Sequence, residues 1–352
     1  MKIRLGLLDS NQQYTTRLMA FFNAHYSEKI DIYLFTTAES FKDFSGSHKI
    51  DVLIADPDMV SADFKVPRNV RFVYFSDSKD IDTIRNIRTV CRYQKADLIY
   101  KEIVSIYSEL DKDKTYKSSE ESGKIIAFFG AAGGVGTTTA AVGCARTIAS
   151  NGKSVLFISL EQNGDLQNFL NGDGTATLSD VLYAVKSRRA NLGLKLNSMV
   201  RKDASGVSYF EPFEVMLDSL ELGAKDVKDM ISAMTSIDKY EYIVIDLGSH
   251  YDSIRNRIMS DAAICLLVGN GSPVSNAKTV RFVRAMAMND AASRDQILAH
   301  TSIFYNQYGP GAVDAVCEPK LTAFAKVGRY ESRSAEQILK MITASEIFTP
   351  LL

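Results

Sequence analysis

The chain has 352 residues and a formal net charge of −1, and 46% of its residues are hydrophobic. One hydrophobic core rarely serves more than about 250–300 residues, so this length favours two domains. The near-zero charge argues against a general nucleic-acid binder, and the four scattered cysteines argue for core thiols rather than metal or redox chemistry. Because no run approaches about 18 apolar residues and the N-terminus lacks an apolar signal core, we expect a cytoplasmic protein.

The first part of the chain alternates apolar runs with amphipathic stretches. The runs are IRLGLLD, IDIYLF, IDVLIAD, VRFVYFS and the shorter ADLIY. Because this alternation is typical of parallel strands joined by helical crossovers, it predicts a doubly wound α/β sheet over residues 1–110. Polar residues that follow such strands gather at one sheet edge. Here they are Asp9, Asp56, Ser76 and Lys101.

An acidic residue, a central aspartate, a hydroxyl and a lysine at one edge resemble the receiver domain of response regulators, which is flavodoxin-like. The resemblance implies that Asp56 accepts a phosphoryl group, Ser76 is the switch hydroxyl and Lys101 is the phosphoryl partner. In that family a second acidic residue follows the first strand, whereas this chain has Ser10. Losing a carboxylate weakens a magnesium site. Two interpretations stay open, a phosphorylated receiver and a docking module that keeps the receiver fold.

Residues 111–123 are rich in charge and serine and lack apolar periodicity, which predicts a solvated linker. The strand-and-helix alternation then returns in IIAFFG, SVLFISL, YEYIVIDLG, AAICLLVG and TSIFYNQ. We therefore predict a second doubly wound, mainly parallel α/β sheet in a domain of residues 124–352.

A glycine-rich turn follows the first strand of this second domain, in the sequence AAGGVGTTTAA. Such a turn aims backbone N–H groups at one point and can cradle phosphate oxygens. The usual phosphate-binding loop reads GxxxxGK[ST], with the lysine on the outer phosphates and the hydroxyl on magnesium. In this chain Thr137 stands at the lysine position and Thr138 keeps the hydroxyl. The predicted cofactor-binding residues of this loop are Ala132, Gly133, Gly134, Val135, Gly136, Thr137, Thr138 and Thr139.

The order of these motifs resembles the deviant P-loop ATPases MinD and ParA, a P-loop NTPase family whose loop reads KGGVGKTT. The resemblance implies that Ala132 replaces a lysine that reaches across a dimer, and that ATP and Mg²⁺ are the cofactors. It implies that Thr138 and Asp246 hold the magnesium, because the run IVIDLG puts Asp246 at the end of an apolar strand. It also implies catalytic roles for Glu161 and Asp246, and an adenine contact for Asn306.

Both loop lysines of that family are therefore missing. A lysine about 4 Å from a phosphate oxygen contributes roughly 4 kcal/mol of gross attraction at an effective dielectric near 20. Removing one donor aimed at a transition state slows a reaction by about 100- to 1000-fold. We therefore predict ATP binding with slow or absent hydrolysis. Arg188, Arg189 and Arg201 are candidates to replace a lysine, and a solvated helix face is the alternative interpretation of these residues.

A receiver-like domain followed by a MinD-like domain with a lysine-poor loop resembles the TadZ/CpaE-like family of tight-adherence (Flp) pilus assembly. The resemblance implies a homodimer that forms on nucleotide and marks the cell pole, or the cytoplasmic face of the inner membrane, for the pilus secretion and assembly machinery. We expect no nucleic-acid partner and no direct membrane insertion, and we expect the amphipathic C-terminal segment AEQILKMITASEIFTPLL to dock on the ATPase core. The alternatives are a ParA-like partition ATPase, a MinD-like positioning ATPase and a phosphorylation-controlled response regulator.

Overall fold

The computed structural model describes residues 2–61, 64–67, 69–109, 123–187, 191–237, 240–288, 297–331 and 333–352. The chain forms two compact units. The first comprises Met1–Tyr116 with Arg188–Ser198, and the second comprises Lys117–Ser187 with Met199–Leu352. The predicted linker, residues 111–123, lies outside the described residues except for Gly123.

The first unit is a six-stranded sheet with the order β2-β1-β3-β4-β6-β5. Its strands are β1 (Ile3–Leu8), β2 (Ile30–Phe35), β3 (Val52–Ala55), β4 (Arg71–Ser76), β5 (Thr83–Ile84) and β6 (Ile87–Cys91). Its helices are α1 (Gln12–Tyr26), α2 (Ala38–Ser47) and α3 (Ala96–Ser108), with one 3₁₀ turn, Pro57–Met59. The strand pairs are parallel apart from β5–β6 in the part of the chain that is described.

Alternate residues of the central strands enter two separate hydrophobic clusters. On β3, Val52 and Ile54 join one cluster, and Leu53 and Ala55 join the other. Because successive side chains of a strand point to opposite faces, both faces of this sheet are covered. The doubly wound α/β architecture predicted for this part of the chain is confirmed.

One sequence-based assignment in this unit is wrong. ADLIY, predicted as a strand that ends before Lys101, forms the first turns of α3 instead. Ile99, Ile103 and Ile106 recur at helical spacing and are all buried, and this longer periodicity decides the structure. The last parallel strand of the sheet is β6, and the residue that follows it is Arg92.

The second unit is an eight-stranded sheet with the order β14-β13-β12-β7-β11-β8-β10-β9. Its strands are β7 (Lys124–Gly130), β8 (Val155–Ser159), β9 (Arg201–Lys202), β10 (Ser208–Tyr209), β11 (Tyr242–Asp246), β12 (Ile264–Gly269), β13 (Thr301–Tyr305) and β14 (Ala323–Lys326). Its helices are α4 (Thr137–Ser150), α5 (Leu178–Lys186), α7 (Met216–Leu220), α8 (Ala224–Ile237), α9 (Ser253–Asp261), α10 (Pro273–Ala287) and α11 (Ala335–Ala344), with a 3₁₀ turn, Thr349–Leu351. The mainly parallel sheet predicted from the apolar runs is confirmed.

One helix from the later part of the chain, α6 (Leu192–Met199), contributes to the first unit. Leu194 packs against the cluster that contains the buried face of α3, and the Lys195 ammonium donates a 2.6 Å hydrogen bond to Ser105 Oγ. The sequence placed this segment in the second domain, because nothing local in LGLKLNSM indicates which sheet it covers.

The C-terminal segment packs on α4. Leu339 and Ile342 of α11 are buried, and Phe348 is fully buried beyond it, in the same cluster as the apolar face of α4. This packing agrees with the expectation that the segment docks on the domain core. None of the helices in the described ranges combines the length and the apolar character needed to cross a membrane. All four cysteines are buried and unbridged, as expected of core thiols.

Candidate functional site

The candidate nucleotide site lies at the carboxyl edge of the second sheet, where β7 runs between β11 and β12. Asp246, the last residue of β11, is in register with Phe128 of β7 and with Ser159 of β8. The backbone N–H of Gly130 donates to Gly248 O at 2.8 Å. Parallel strands bring their ends to one edge, so the glycine loop and the acidic residues that follow the neighbouring strands meet there.

The glycine loop leaves part of its backbone open. Gly133 and Gly134 are exposed, and a Cβ at either position would meet no atom within 4 Å. Gly136 has a φ of +82°, and a Cβ there would overlap Asn306 Nδ2. This position therefore requires glycine for both conformation and space.

Asn306, at the end of β13, braces this loop. It is 5% exposed, and its Nδ2 donates a 2.9 Å hydrogen bond to Val135 O. The side chain predicted to contact adenine thus holds the loop backbone in this structure. An adenine contact stays a prediction.

Thr137, at the lysine position, packs beside Gly130. Its side chain is largely buried, and a Cβ on Gly130 would overlap its Oγ1. Arg201 does not replace the missing lysine here, because it lies on the edge strand β9 and pairs with Glu211 at 2.8 Å. Arg188 and Arg189 fall outside the described residues.

Thr138, Asp246 and Glu161 converge at the start of α4. Thr138 Oγ1 donates to Asp246 Oδ2 at 2.6 Å and lies 3.2 Å from Glu161 Oε2. Asp246 is 0% exposed, and this burial raises the pKa of its carboxyl to about 6. The Thr138 hydroxyl and the Gly248 N–H lower that pKa, while the negative charge of Glu161 raises it further.

These three side chains suit a magnesium ion. Carboxylate and hydroxyl oxygens are hard ligands, and Mg²⁺ commonly takes one or two carboxylates together with waters and substrate phosphates. Ser159 lies beside Asp246 in the sheet register, and its Oγ is fully buried without a hydrogen-bond partner among the described residues. A buried hydroxyl of this kind calls for a water or another polar partner. The donor set therefore fits the cation that the sequence predicts.

Arg255, on α9, is a site residue that sequence reasoning missed. It is 3% exposed, and its guanidinium donates to Leu160 O at 2.5 Å and to Leu247 O at 3.4 Å. Leu160 precedes Glu161 and Leu247 follows Asp246, so this one side chain ties together the two loops that carry the carboxylates. Nothing in the polar sequence DSIRNR signals that role.

The predicted receiver-like edge forms only in part. Asp9, Asp56 and Ser76 lie at the ends of β1, β3 and β4, as the apolar runs indicate. Lys101 is on α3 and does not follow a strand, so its predicted place is wrong. The basic residue at this edge is Arg92, which was missed because IRTVC carries a weak apolar pattern.

Arg92 contacts both aspartates of this edge. Its guanidinium donates to Asp9 Oδ2 at 3.2 Å and to Asp56 Oδ2 at 2.7 Å. Burial raises the pKa of the Asp9 carboxyl, while the Asn11 N–H and the Arg92 charge lower it. Ser76 donates its hydroxyl hydrogen to Ser78 O at 2.9 Å.

Family models match both parts of the chain. Residues 1–108 match the TadZ-like receiver domain, and residues 123–287 match an AAA domain. No curated protein matches the chain in sequence.

Solved structures are similar to the second part of the chain. A ParA family ATPase from Chlorobium tepidum TLS is 17% identical, with 65% of this chain and 97% of that chain covered and a TM-score of 0.52. MinD from Pyrococcus horikoshii OT3, complexed with Mg-ADP, is 17% identical, with coverages of 65% and 94% and a TM-score of 0.48. The MinC:MinD complex of Aquifex aeolicus gives 15% identity, coverages of 64% and 96%, and a TM-score of 0.48. At 17% identity the likeness to the ParA family ATPase shows a shared fold alone.

Proposed function

Because the chain joins a TadZ-like receiver domain to a ParA/MinD-type AAA domain, the architecture of TadZ/CpaE-like proteins, we propose that it is an ATP-binding localisation protein for tight-adherence pilus assembly. The observation that carries the proposal is the convergence of Thr138, Asp246 and Glu161 beside an exposed glycine loop. This arrangement supports a magnesium nucleotide as the ligand of the second unit.

Each part of the proposed ligand has a counterpart in the site. The backbone N–H groups of residues 133–138, together with the N-terminus of α4, would hold the phosphates. Thr138 and Asp246 would hold Mg²⁺, and Glu161 adds negative charge close by. The ion supplies positive charge that neutralises the phosphate oxygens.

We propose that hydrolysis is slow. Thr137 carries no charge and is packed against Gly130, and Ala132 is buried and apolar, so neither supplies the cation that stabilises a phosphoryl-transfer transition state. Binding tolerates this loss better than catalysis does, because only groups that favour the transition state over the ground state accelerate a reaction. The site thus favours a nucleotide clamp over a fast ATPase.

Calorimetry and turnover assays test the ligand. We expect Mg²⁺-dependent ATP binding, turnover well below that of lysine-containing relatives, and loss of binding in Asp246→Asn. Asp229→Asn is the matched control, because Asp229 lies on α8, is half-exposed and pairs with Lys225 across one helical turn. Fast turnover that Asp246→Asn abolishes would contradict the slow-hydrolysis proposal. A failure to bind any nucleotide would contradict the proposal that the second unit is a nucleotide site.

The proposed switch is nucleotide-dependent dimerisation at the cell pole. A ligand shifts an equilibrium only by its different affinity for the two states, here the monomer and the dimer. For a switch, ATP and ADP must therefore differ in affinity or in the size of the protein species that they favour. Analytical ultracentrifugation with each nucleotide tests dimerisation, and a fluorescent fusion tests polar foci, with Asp246→Asn expected to be monomeric and diffuse. If the protein has the same mass with ATP and with ADP, nucleotide does not switch dimerisation. If polar foci persist in Asp246→Asn, localisation does not depend on nucleotide binding.

A further inference from the structure

The receiver-like edge of the first unit contains its own cation. The Arg92 guanidinium lies between the carboxylates of Asp9 and Asp56 and bonds one oxygen of each, at 3.2 Å and 2.7 Å. A third carboxylate, that of the exposed Asp77, is 3.0 Å from Arg92 Nε. The positive charge therefore lies between carboxylates that, by the family resemblance, would be free to bind magnesium.

The guanidinium is held firmly in place. Arg92 is 9% exposed and lies over the Phe75 ring at 5.2 Å and the Tyr14 ring at 6.0 Å. An arginine stays protonated at any physiological pH, and its planar fork suits two carboxylates at once. The charge at this edge is consequently permanent.

The remaining carboxylate oxygens are also engaged. Asp56 Oδ1 accepts the Asp58 N–H at 2.9 Å, and Asp9 Oδ1 accepts the Asn11 N–H at 2.7 Å. The backbone N–H groups of Asn11 and Asp58 thus fix the two carboxylates in the orientation in which they face Arg92. Because the Arg92 guanidinium already lies between Asp9 and Asp56, a receiver-type magnesium site does not fit these residues.

We propose that Arg92 replaces the divalent cation of the receiver fold, so that Asp56 is closed to phosphorylation and the strand-end loops keep one conformation. Arg92, which follows β6, bonds the residues that follow β1 and β3, so one side chain connects three strand ends. The first unit then presents a single surface that depends on neither magnesium nor a phosphoryl donor.

Removing Arg92 should make the stability of the first unit depend on magnesium. Without the guanidinium, the buried Asp9 and the neighbouring Asp56 are left with unopposed like charges, which destabilise the unit. A divalent cation relieves that repulsion. The first unit of Arg92→Ala is therefore expected to unfold at lower temperature than the unaltered unit and to recover part of the loss in Mg²⁺.

The experiment uses the full chain with Asp246→Asn as background, which silences the proposed cation site of the second unit. Thermal unfolding is followed with and without millimolar MgCl₂ in four proteins: the background, Arg92→Ala, Arg92→Ala with Asp56→Asn, and Arg88→Ala. Arg88 is the matched control, because it is a half-exposed arginine of β6, the strand that Arg92 follows, and pairs with Glu109 at 3.7 Å. We expect Mg²⁺ to stabilise Arg92→Ala alone. Magnesium stabilisation of the first unit with Arg92 present, or no magnesium effect in Arg92→Ala, would overturn the proposal.

A second measurement does not depend on the folding of any variant. The unaltered chain is incubated with acetyl phosphate and MgCl₂ and examined by intact mass spectrometry, with Asp56→Asn as reference. We expect identical spectra. A phosphoryl adduct that disappears in Asp56→Asn would overturn the proposal and restore the response-regulator alternative, while leaving the nucleotide site of the second unit untouched.

Discussion

Asp246 carries an unusual electrostatic load for a single residue. It is 0% exposed, accepts hydrogen bonds from the Thr138 hydroxyl and the Gly248 N–H, and has Glu161 as a charged neighbour. Its ordinary pKa of 3.8 rises to about 6, chiefly because burial disfavours the charged form. Without a cation, the ionised carboxylate is therefore a cost to the folded state.

The pH dependence of cation binding follows from that pKa. Protons compete with Mg²⁺ for Asp246, so we expect Mg²⁺-dependent ATP affinity to fall as the pH drops through about 6. Between about pH 4 and 6 the Asp246 carboxyl is protonated in the folded protein and ionised in the unfolded chain. The free energy of unfolding of the nucleotide-free protein should therefore rise as the pH falls through that window. Calorimetric titrations from pH 5 to about 8 and denaturant unfolding without nucleotide measure the two effects. Asp246→Asn should show neither, and an affinity that is flat with pH would contradict the assignment of Asp246 as the cation ligand.

At the scale of elements, α4 connects the phosphate loop with the C-terminus. Its first residues carry Thr137 and Thr138, and its apolar face packs against α11. Gly143 of α4 lies so close to α11 that a Cβ there would be 2.7 Å from Ile342 Cγ2. The helix that begins at the candidate site is thus fixed from behind by the C-terminal segment.

Substitutions on α11 test this packing against the alternative of a membrane-binding helix. Leu339→Ala and Ile342→Ala each remove a buried side chain, and each is expected to lower the free energy of unfolding by about 2–5 kcal/mol. Met341→Ala, on the same helix but 45% exposed, is the matched control and should change it little. Urea unfolding gives the three values. Near-neutral Leu339→Ala and Ile342→Ala, together with liposome binding that these substitutions abolish, would instead support a lipid-facing helix.

In the whole molecule, the two units have separate hydrophobic cores and are expected to differ in whether they bind an exchangeable ligand. The clusters of the first sheet and the cluster around α4 share no residue. The first unit contains a permanent internal cation, and the second contains a proposed site for an exchangeable one. A magnesium nucleotide should therefore stabilise the second unit more than the first.

Calorimetric unfolding of the full chain tests that distribution. At an ATP concentration of about 100 times the dissociation constant, binding stabilises a folded unit by about 2.7 kcal/mol. For a unit of this size, each kcal/mol raises the midpoint by about 2–4 °C. We expect MgATP to move the transition of the second unit by several degrees and that of the first unit much less. Equal shifts of both transitions would contradict independent cores, and Asp246→Asn should abolish either shift.

Sequence patterns alone predict the two mainly parallel sheets, the phosphate loop without lysines, and the strand-end positions of Asp9, Asp56, Ser76 and Asp246. Those features follow from local patterns, because apolar runs mark strands and parallel strands end at one edge. A longer apolar periodicity than the run itself makes ADLIY helical. Contacts between distant parts of the chain put Arg92 at the receiver-like edge, join the two carboxylate loops through Arg255, and place α6 in the first unit. A five-residue apolar run fits either a strand or a helix, and the partner of a buried arginine or an amphipathic helix is set by contacts between distant parts of the chain, which local periodicity does not encode.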